Sequence, residues 1–307
     1  MSEQPEQTQQ ETGPTMSAEP GGRRAAVPRE PPRPFLKWAG GKTQLVPELL
    51  ARLPRRFGAY HEPFVGGGAL FFALHRAGRL AERRVLLSDV NAELIDTYCA
   101  IRSLVGQVIA CLAEHRYDRD HFYRVRAQQP EELRLVERAA RMIYLNRCGF
   151  NGLYRVNAAG RFNVPFGRYS NPRICDADNL RAVARALRGV ELECAPFERV
   201  LDRAAPGDVV YFDPPYVPLS TTARFTGYAR DGFGPAEQQR LAEVFAALAG
   251  RGVGVVLSNS DTPLVHELYA GFRRDTVQAR RAVNSRKDRR GPVGELLVLG
   301  GGLERMG

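Results

Sequence analysis

Short apolar runs bounded by Gly, Pro, Asp or Asn alternate with amphipathic stretches along most of the chain. The runs read as buried strands, and apolar positions recurring every three to four residues read as helices. Strands are predicted at Tyr60–Phe64, Arg84–Ser88, Val190–Cys194, Val209–Phe212, Val253–Ser258 and Glu295–Leu299. Helices are predicted at Ala69–Ala77, Asn179–Leu187, Pro235–Leu248 and near Pro263–Tyr269, with a loop at Val217–Phe233. Between about residues 92 and 178 the rhythm changes. Helical stretches Glu93–Leu104, Gln107–His115, Asp120–Gln128 and Glu131–Leu145 succeed one another without a strand, and the Gly/Asn/Arg/aromatic segment Asn146–Asn171 follows. The expectation is an α/β fold in which residues 34–91 and 179–307 build a mostly parallel sheet with helices on both faces. Residues 92–178 then form an inserted helical subdomain carrying a loop or hairpin. Residues 1–33 are rich in Glu, Gln, Pro and Gly and are expected to be a disordered extension.

Composition narrows the class. The 307 residues are 44% hydrophobic, ample for a buried core. No unbroken apolar run reaches the roughly 18 residues of a membrane span, and the polar N-terminus has no apolar signal region. Cys99, Cys111, Cys148, Cys175 and Cys194 are odd in number, widely spaced and without a CxxC pair. That pattern argues against a disulfide framework or a zinc ribbon and for a reduced, cytoplasmic, metal-free protein. The net charge of +10 suits an acidic partner. Arginine supplies most of it, as a GC-rich genome would dictate; only Lys37, Lys42 and Lys287 are lysines, two of them within one six-residue stretch.

Three motifs carry candidate chemistry. Phe64-Val-Gly66-Gly-Gly68 follows a predicted strand and opens a helix, and Asp89 ends the next strand 23 residues after Gly66. Strand, glycine turn, helix and then an acid is the plan of a nucleotide-binding half, in which the acid accepts from ribose hydroxyls. The GxGxxG spacing that seats a pyrophosphate is absent, so a nucleoside without phosphates, such as S-adenosylmethionine, fits better than NAD. A plain tight turn would also want these glycines. The second motif, Asp213-Pro214-Pro215-Tyr216, follows the apolar strand Val209–Phe212 and so lies at the carboxyl edge of the sheet. Its prolines stiffen the backbone and remove two N–H donors. An Asp carboxylate, a Pro214 carbonyl and an aromatic face together suit methylation of an exocyclic amine, whose lone pair is delocalised into its ring. The third is a stretch from Arg138 to Cys175 with no acid, seven arginines (Arg138, Arg141, Arg147, Arg155, Arg161, Arg168, Arg173) and interleaved aromatics. Such a strip suits phosphate contacts and base stacking. A second basic run, Arg273–Arg290, reads equally as a solvated loop or a phosphate contact.

Taken in order, FLKWAGGK (Phe35–Lys42), EPFVGGGAL, LSDVN, NRCGFNGLYRVNAAGRFNVPFGRY, VVYFDPPYVPLSTTARFTGY and LSNSDT near Asn259 resemble the D12-class, or alpha-group, DNA N6-adenine methyltransferases, and closely the Dam methylase subfamily. The resemblance covers roughly residues 34–300. It implies a Rossmann-like S-adenosylmethionine-dependent methyltransferase sheet with an inserted DNA-recognition subdomain. By resemblance, Trp38, Lys42, Phe64, Gly66, Gly68, Asp89 and Asp213 bind S-adenosylmethionine. Asp213, Pro214, Pro215 and Tyr216 receive the flipped adenine. In the recognition hairpin Arg155 reads guanine, Leu153 and Pro165 contact bases, and Phe150 and Asn151 fill the gap the base leaves. Arg168 and Tyr169 complete the matching block. The implied partner is double-stranded DNA at GATC, with no membrane, and the protein is expected to be a monomer. Tyr154 and Val156 depart from the subfamily pattern, which bears on the outer bases. Two other classes share parts of these features. A protein or small-molecule N-methyltransferase could have the loop and the proline turn, and a non-catalytic DNA-binding protein would explain the charge.

Overall fold

The computed structural model describes Met1 and residues 30–38, 40, 42–217, 233–280 and 292–303. Seven strands form one sheet: β1 (Tyr60–Glu62), β2 (Val85–Asp89), β3 (Glu191–Cys194), β4 (Val209–Phe212), β5 (Gly254–Ser260), β6 (Arg273–Arg280) and β7 (Pro292–Gly300). Their spatial order is β3-β2-β1-β4-β5-β7-β6. The first five run parallel, and β7 lies antiparallel to both β5 and β6. The mostly parallel α/β sheet expected from the sequence is therefore present. Chain order reverses between β1 and β4, which opens a crevice at their carboxyl ends, where open α/β sheets take ligands.

Period-two burial shows why these segments are central strands. In β4, Val209 and Tyr211 join one hydrophobic cluster while Val210 and Phe212 join the other. In β7, Leu297 and Leu299 face the first cluster and Leu296 and Val298 the second. Both faces are thus covered. The eight α-helices among the described residues are α1 (Val46–Arg52), α2 (Ala69–Arg76), α3 (Ala92–Ala113), α4 (Arg119–Ala127), α5 (Leu135–Cys148), α6 (Ala177–Ala186), α7 (Pro235–Gly250) and α8 (Pro263–Leu268). The second cluster takes Leu241, Val244, Phe245 and Leu248 from α7 and Val265 from α8. The first cluster runs without a break from the sheet into α3, α4 and α5 through Ile101, Val108, Phe122 and Met142.

Four departures from the sequence reading have physical reasons. Glu93–Leu104 and Gln107–His115 are one helix, α3, bent at Leu104 (φ −134°, ψ 29°), because buried Ile101, Val108 and Leu112 hold both halves against the same core across the weak Gly106 position. By length and composition α3 could cross a membrane; here Leu94, Tyr98, Ile101 and Val108 are buried in the core. α1 was not anticipated. The basic run Arg273–Arg290 is, over residues 273–280, an edge strand paired along its length with β7. Within it Asp275 binds both Arg273 and Arg52 of α1. The remainder of that run, most of the predicted loop Val217–Phe233 and residues 2–29 of the N-terminal extension lie outside the described residues. The extension's last residues are docked: Arg33 pairs with Asp176, and its backbone exchanges hydrogen bonds with the Asn179 side chain. All five cysteines are free thiols.

Candidate active site

β1 ends at Glu62, and the chain turns through Gly66 and Gly68 into α2 with both glycines in the left-handed region (φ +44° and +66°). The turn has no room for side chains. A Cβ on Gly66 would sit 2.6 Å from Trp38 Cδ1, and one on Gly68 2.8 Å from the Tyr98 hydroxyl. Trp38 thus lies directly against the loop, and it stacks on Tyr154 at 5.3 Å. Asp89, at the end of β2, accepts from the Gly66 and Asn91 backbone N–H groups at 3.2 and 3.0 Å. Burial nonetheless pushes its carboxyl above the usual range. Asn91 caps α3 by accepting from Leu94 N–H, as its place before the helix predicts. Phe64 stacks on Phe197 and meets Phe212 edge-on, closing the far side of the loop.

The Asp213–Tyr216 turn leaves β4 at the same crevice. Asp213 Oδ1 pairs with Lys42 Nζ at 2.8 Å and accepts from Ser258 Oγ at 3.2 Å. The Lys42 ammonium lies 4.3 Å above the Tyr216 ring and also donates to the Gly40 carbonyl. The Tyr216 hydroxyl donates to Glu295 Oε2 at 2.7 Å. Desolvation raises the Asp213 carboxyl, and the Lys42 charge pulls it back down. Behind it stands Glu62, only 2% exposed, with its acidity weakened by burial to a pKa of about 8. Glu62 accepts from the Tyr60 hydroxyl at 2.8 Å. Asp213 thus holds the Lys42 ammonium, and Glu295 holds the Tyr216 hydroxyl.

The sequence reading did not single out Glu62, Ser258, Gln238 or Glu295. Glu62 carried a signal, an acid within a short buried strand just before the glycine loop. Gln238 and Glu295 carried none, because each reaches the turn from an element distant in sequence.

The acid-free stretch from Arg138 to Cys175 separates into an inner and an outer part. Arg138 pairs with Asp96, Arg141 with Glu93 at 2.8 Å, and Arg147 donates to the Phe35 carbonyl. These three arginines of α5 face acids or carbonyls of other elements, so a stretch free of acids in sequence is not free of them in space. Arg155, Arg161 and Arg168 stay exposed. Most of the aromatics also turn inward: Tyr144 stacks on His115, Phe166 on Tyr117, and Phe162 is buried. Phe150 is the exception at 46% exposure. The hairpin itself is tied by bridges between Gly149 and Phe166 and between Val156 and Phe162. Asn151 (φ +55°) and Gly152 turn its near end, and Pro165, Asn151 and Arg155 are exposed while Leu153 and Tyr169 are partly covered. Arg155 Nε donates to Asn163 Oδ1 across the hairpin at 2.6 Å. Tyr154, which departs from the subfamily pattern, donates to Glu93 at 3.1 Å. Lys37 lies against Gly152 and 5.0 Å from the Tyr169 ring. Lys37, Trp38 and Lys42 therefore join hairpin, glycine loop and proline turn.

Comparison with known proteins agrees with this arrangement. Residues 38–283 match the family of D12 class N6 adenine-specific DNA methyltransferases. The chain is 40% identical over 274 residues to the type II methyltransferase M1.LlaDCHI of Lactococcus lactis, covering 87% of this chain and 94% of that one. It is 36% identical over 271 residues to the DNA adenine methylase of Escherichia coli K12 (87% and 95% covered) and 34% identical over 275 residues to that of Haemophilus influenzae (88% and 94%). A glycine loop and a proline turn meeting at one switch point, inside a match of this extent, identify the chain as a member of the D12 class and as an enzyme that methylates adenine in DNA.

Proposed function

We propose that this enzyme transfers a methyl group from S-adenosylmethionine to N6 of adenine in duplex DNA at GATC, acting as a monomer in the cytoplasm. The observation that carries the reading is the meeting of the Gly66–Gly68 loop and Asp89 with the Asp213–Tyr216 turn at one carboxyl edge of the sheet. The residues fit this cofactor: Asp89 offers a carboxylate for ribose hydroxyls, and Trp38 closes a loop that tolerates only glycine. When bound, S-adenosylmethionine supplies an electrophilic methyl on a sulfonium.

The chain's own residues handle the base. N6 lies inside the pair, so the adenine must leave the stack, at a cost of a few kcal/mol met by protein contacts. Exposed Phe150 and Asn151 occupy the gap it leaves. Tyr216 stacks on the extruded ring, held in place through its hydroxyl by Glu295. The Asp213 carboxylate and the Pro214 carbonyl accept the two N6 protons' hydrogen bonds, which draws the lone pair out of conjugation. Lys42 rests on the same tyrosine face and the same carboxylate, so the incoming adenine displaces its ammonium from the ring. Arg155, on the exposed hairpin, presents a guanidinium able to grip guanine bidentately. The GATC assignment rests on Asn151-Gly-Leu-x-Arg155 and Asn163-Val-Pro-Phe-Gly-Arg168-Tyr169, together with relatives named DNA adenine methylase. Incubation with methyl-labelled cofactor and duplexes with or without GATC tests it. Label on adenine N6 in the GATC duplex alone is expected; label on a protein, or on both duplexes equally, overturns it.

A further inference from the structure

Two consecutive prolines leave the catalytic turn without N–H donors at residues 214 and 215, so it has two fewer backbone donors with which to brace itself. The structure braces it with side-chain amides instead. Gln238, in the first turns of α7, donates through Nε2 to the Pro215 carbonyl at 2.9 Å. Its Oε1 accepts from Asn259 Nδ2 at 3.0 Å. Asn259, near the end of β5, in turn accepts through Oδ1 from the Val217 backbone N–H at 3.2 Å. The relay starts on the carbonyl of residue 215 and returns to the N–H of residue 217. Gln238 and Asn259 are 2% and 0% exposed, so neither amide has water as an alternative partner. Every donor and acceptor in the chain has one orientation, which fixes both amides and the Pro215 peptide between Asp213 and Tyr216.

We propose that Gln238 and Asn259 are positioning residues for methyl transfer: their amide relay holds the Asp213–Tyr216 turn in the geometry that receives the target amine. This rests on the methyltransferase reading above. Neither residue is placed to touch adenine or cofactor. Adjacent Ser260 supports the same turn from the opposite face of β5, donating to the Val217 carbonyl at 2.7 Å. Losing the relay therefore loosens the turn without detaching it.

The relay's effect on the reaction and on the turn itself can be measured separately. Gln238→Leu removes the donor to Pro215, and Asn259→Asp removes the donor to Gln238 while keeping an acceptor for Val217. Single-turnover methylation of duplex DNA at saturating cofactor is expected to fall about 10- to 100-fold in each, the cost of a displaced reacting group. Dissociation constants for cofactor and for DNA are expected to stay within about threefold. Because the two amides form one relay, the double variant should be no slower than about threefold below the worse single one. The second readout does not depend on activity: hydrogen exchange at the Val217 amide in the unliganded protein should quicken in Gln238→Leu, although Gln238 does not contact Val217. Unchanged exchange there, a methylation rate within threefold of wild type, multiplying losses in the double variant, or a loss matched by weaker DNA binding would each overturn the proposal. Failure of the wild-type protein to methylate adenine would instead overturn the underlying reading, and the exchange result would still judge the relay.

Discussion

The crevice proposed for catalysis and the hairpin proposed for base reading are neighbours joined through Lys37, Trp38 and Lys42, yet they are built on opposite rules. In the crevice polar groups are committed: Asp213 to Lys42 and Ser258, Tyr216 to Glu295, Pro215 to Gln238, Asp89 to backbone N–H groups. On the hairpin Phe150, Asn151, Arg155, Pro165 and Arg168 are exposed. Methyl transfer needs groups fixed before the substrate arrives, because reorganisation at the moment of reaction adds to the barrier. Base reading needs side chains free to meet a partner of variable sequence, so the hairpin is tied through its backbone and its buried aromatics.

The largest expected effect lies in the crevice. Asp213→Ala should lower single-turnover methylation by about a thousandfold or more while DNA affinity, measured by anisotropy, holds. Gly66→Ala puts a methyl group into Trp38 at a positive φ. The strain of about 1–3 kcal/mol should appear as lower thermal stability and at least tenfold weaker cofactor binding in calorimetry. On the hairpin, Arg155→Ala should relax sequence choice by about 1–3 kcal/mol on mismatched duplexes, with the rate on GATC falling less than the ratio between sites.

The crevice and the helices behind the hairpin should also respond oppositely to pH. Glu62 has its folded pKa raised to about 8, so its contribution to stability is complete in acid and is lost as pH rises toward 8. His115, stacked on Tyr144 and bonded to His121, has its pKa lowered to about 4, chiefly by burial. Its contribution is present above pH 6.5 and drains as pH falls toward 4. Denaturant titrations should show Glu62→Gln flattening the alkaline limb and His115→Phe the acid limb; a wild-type profile in either variant contradicts the assignment. The smallest effect is Arg168→Ala, which should reduce the salt slope of DNA binding by about one unit without altering site preference.

How far each region was legible follows from the same contrast. β4 was readable to the residue because a fully buried central strand is an unbroken apolar run ended by Asp-Pro-Pro. The glycine loop and Asp89 were readable because each stands beside its own strand. Gln238 and Glu295 were not, since a polar residue gives no local sign that folding will bring it against a turn tens of residues away. The acid-free stretch misled in part: α5 places Arg138 and Arg141 beside Asp96 and Glu93 of α3, a pairing that only the packing of the two helices creates. β6 stayed hidden because an edge strand need not be apolar, and its charges read equally as a loop or a phosphate contact.

The separation of chemistry from reading is tested most directly by single-turnover methylation on GATC and on duplexes differing by one base, comparing wild type, Asp213→Ala and Arg155→Ala. The account predicts that Asp213→Ala loses activity on every duplex while binding persists, and that Arg155→Ala keeps turnover but narrows the ratio between GATC and its neighbours. Turnover by Asp213→Ala, or an Arg155→Ala enzyme slowed equally on all duplexes with its preference intact, would contradict it.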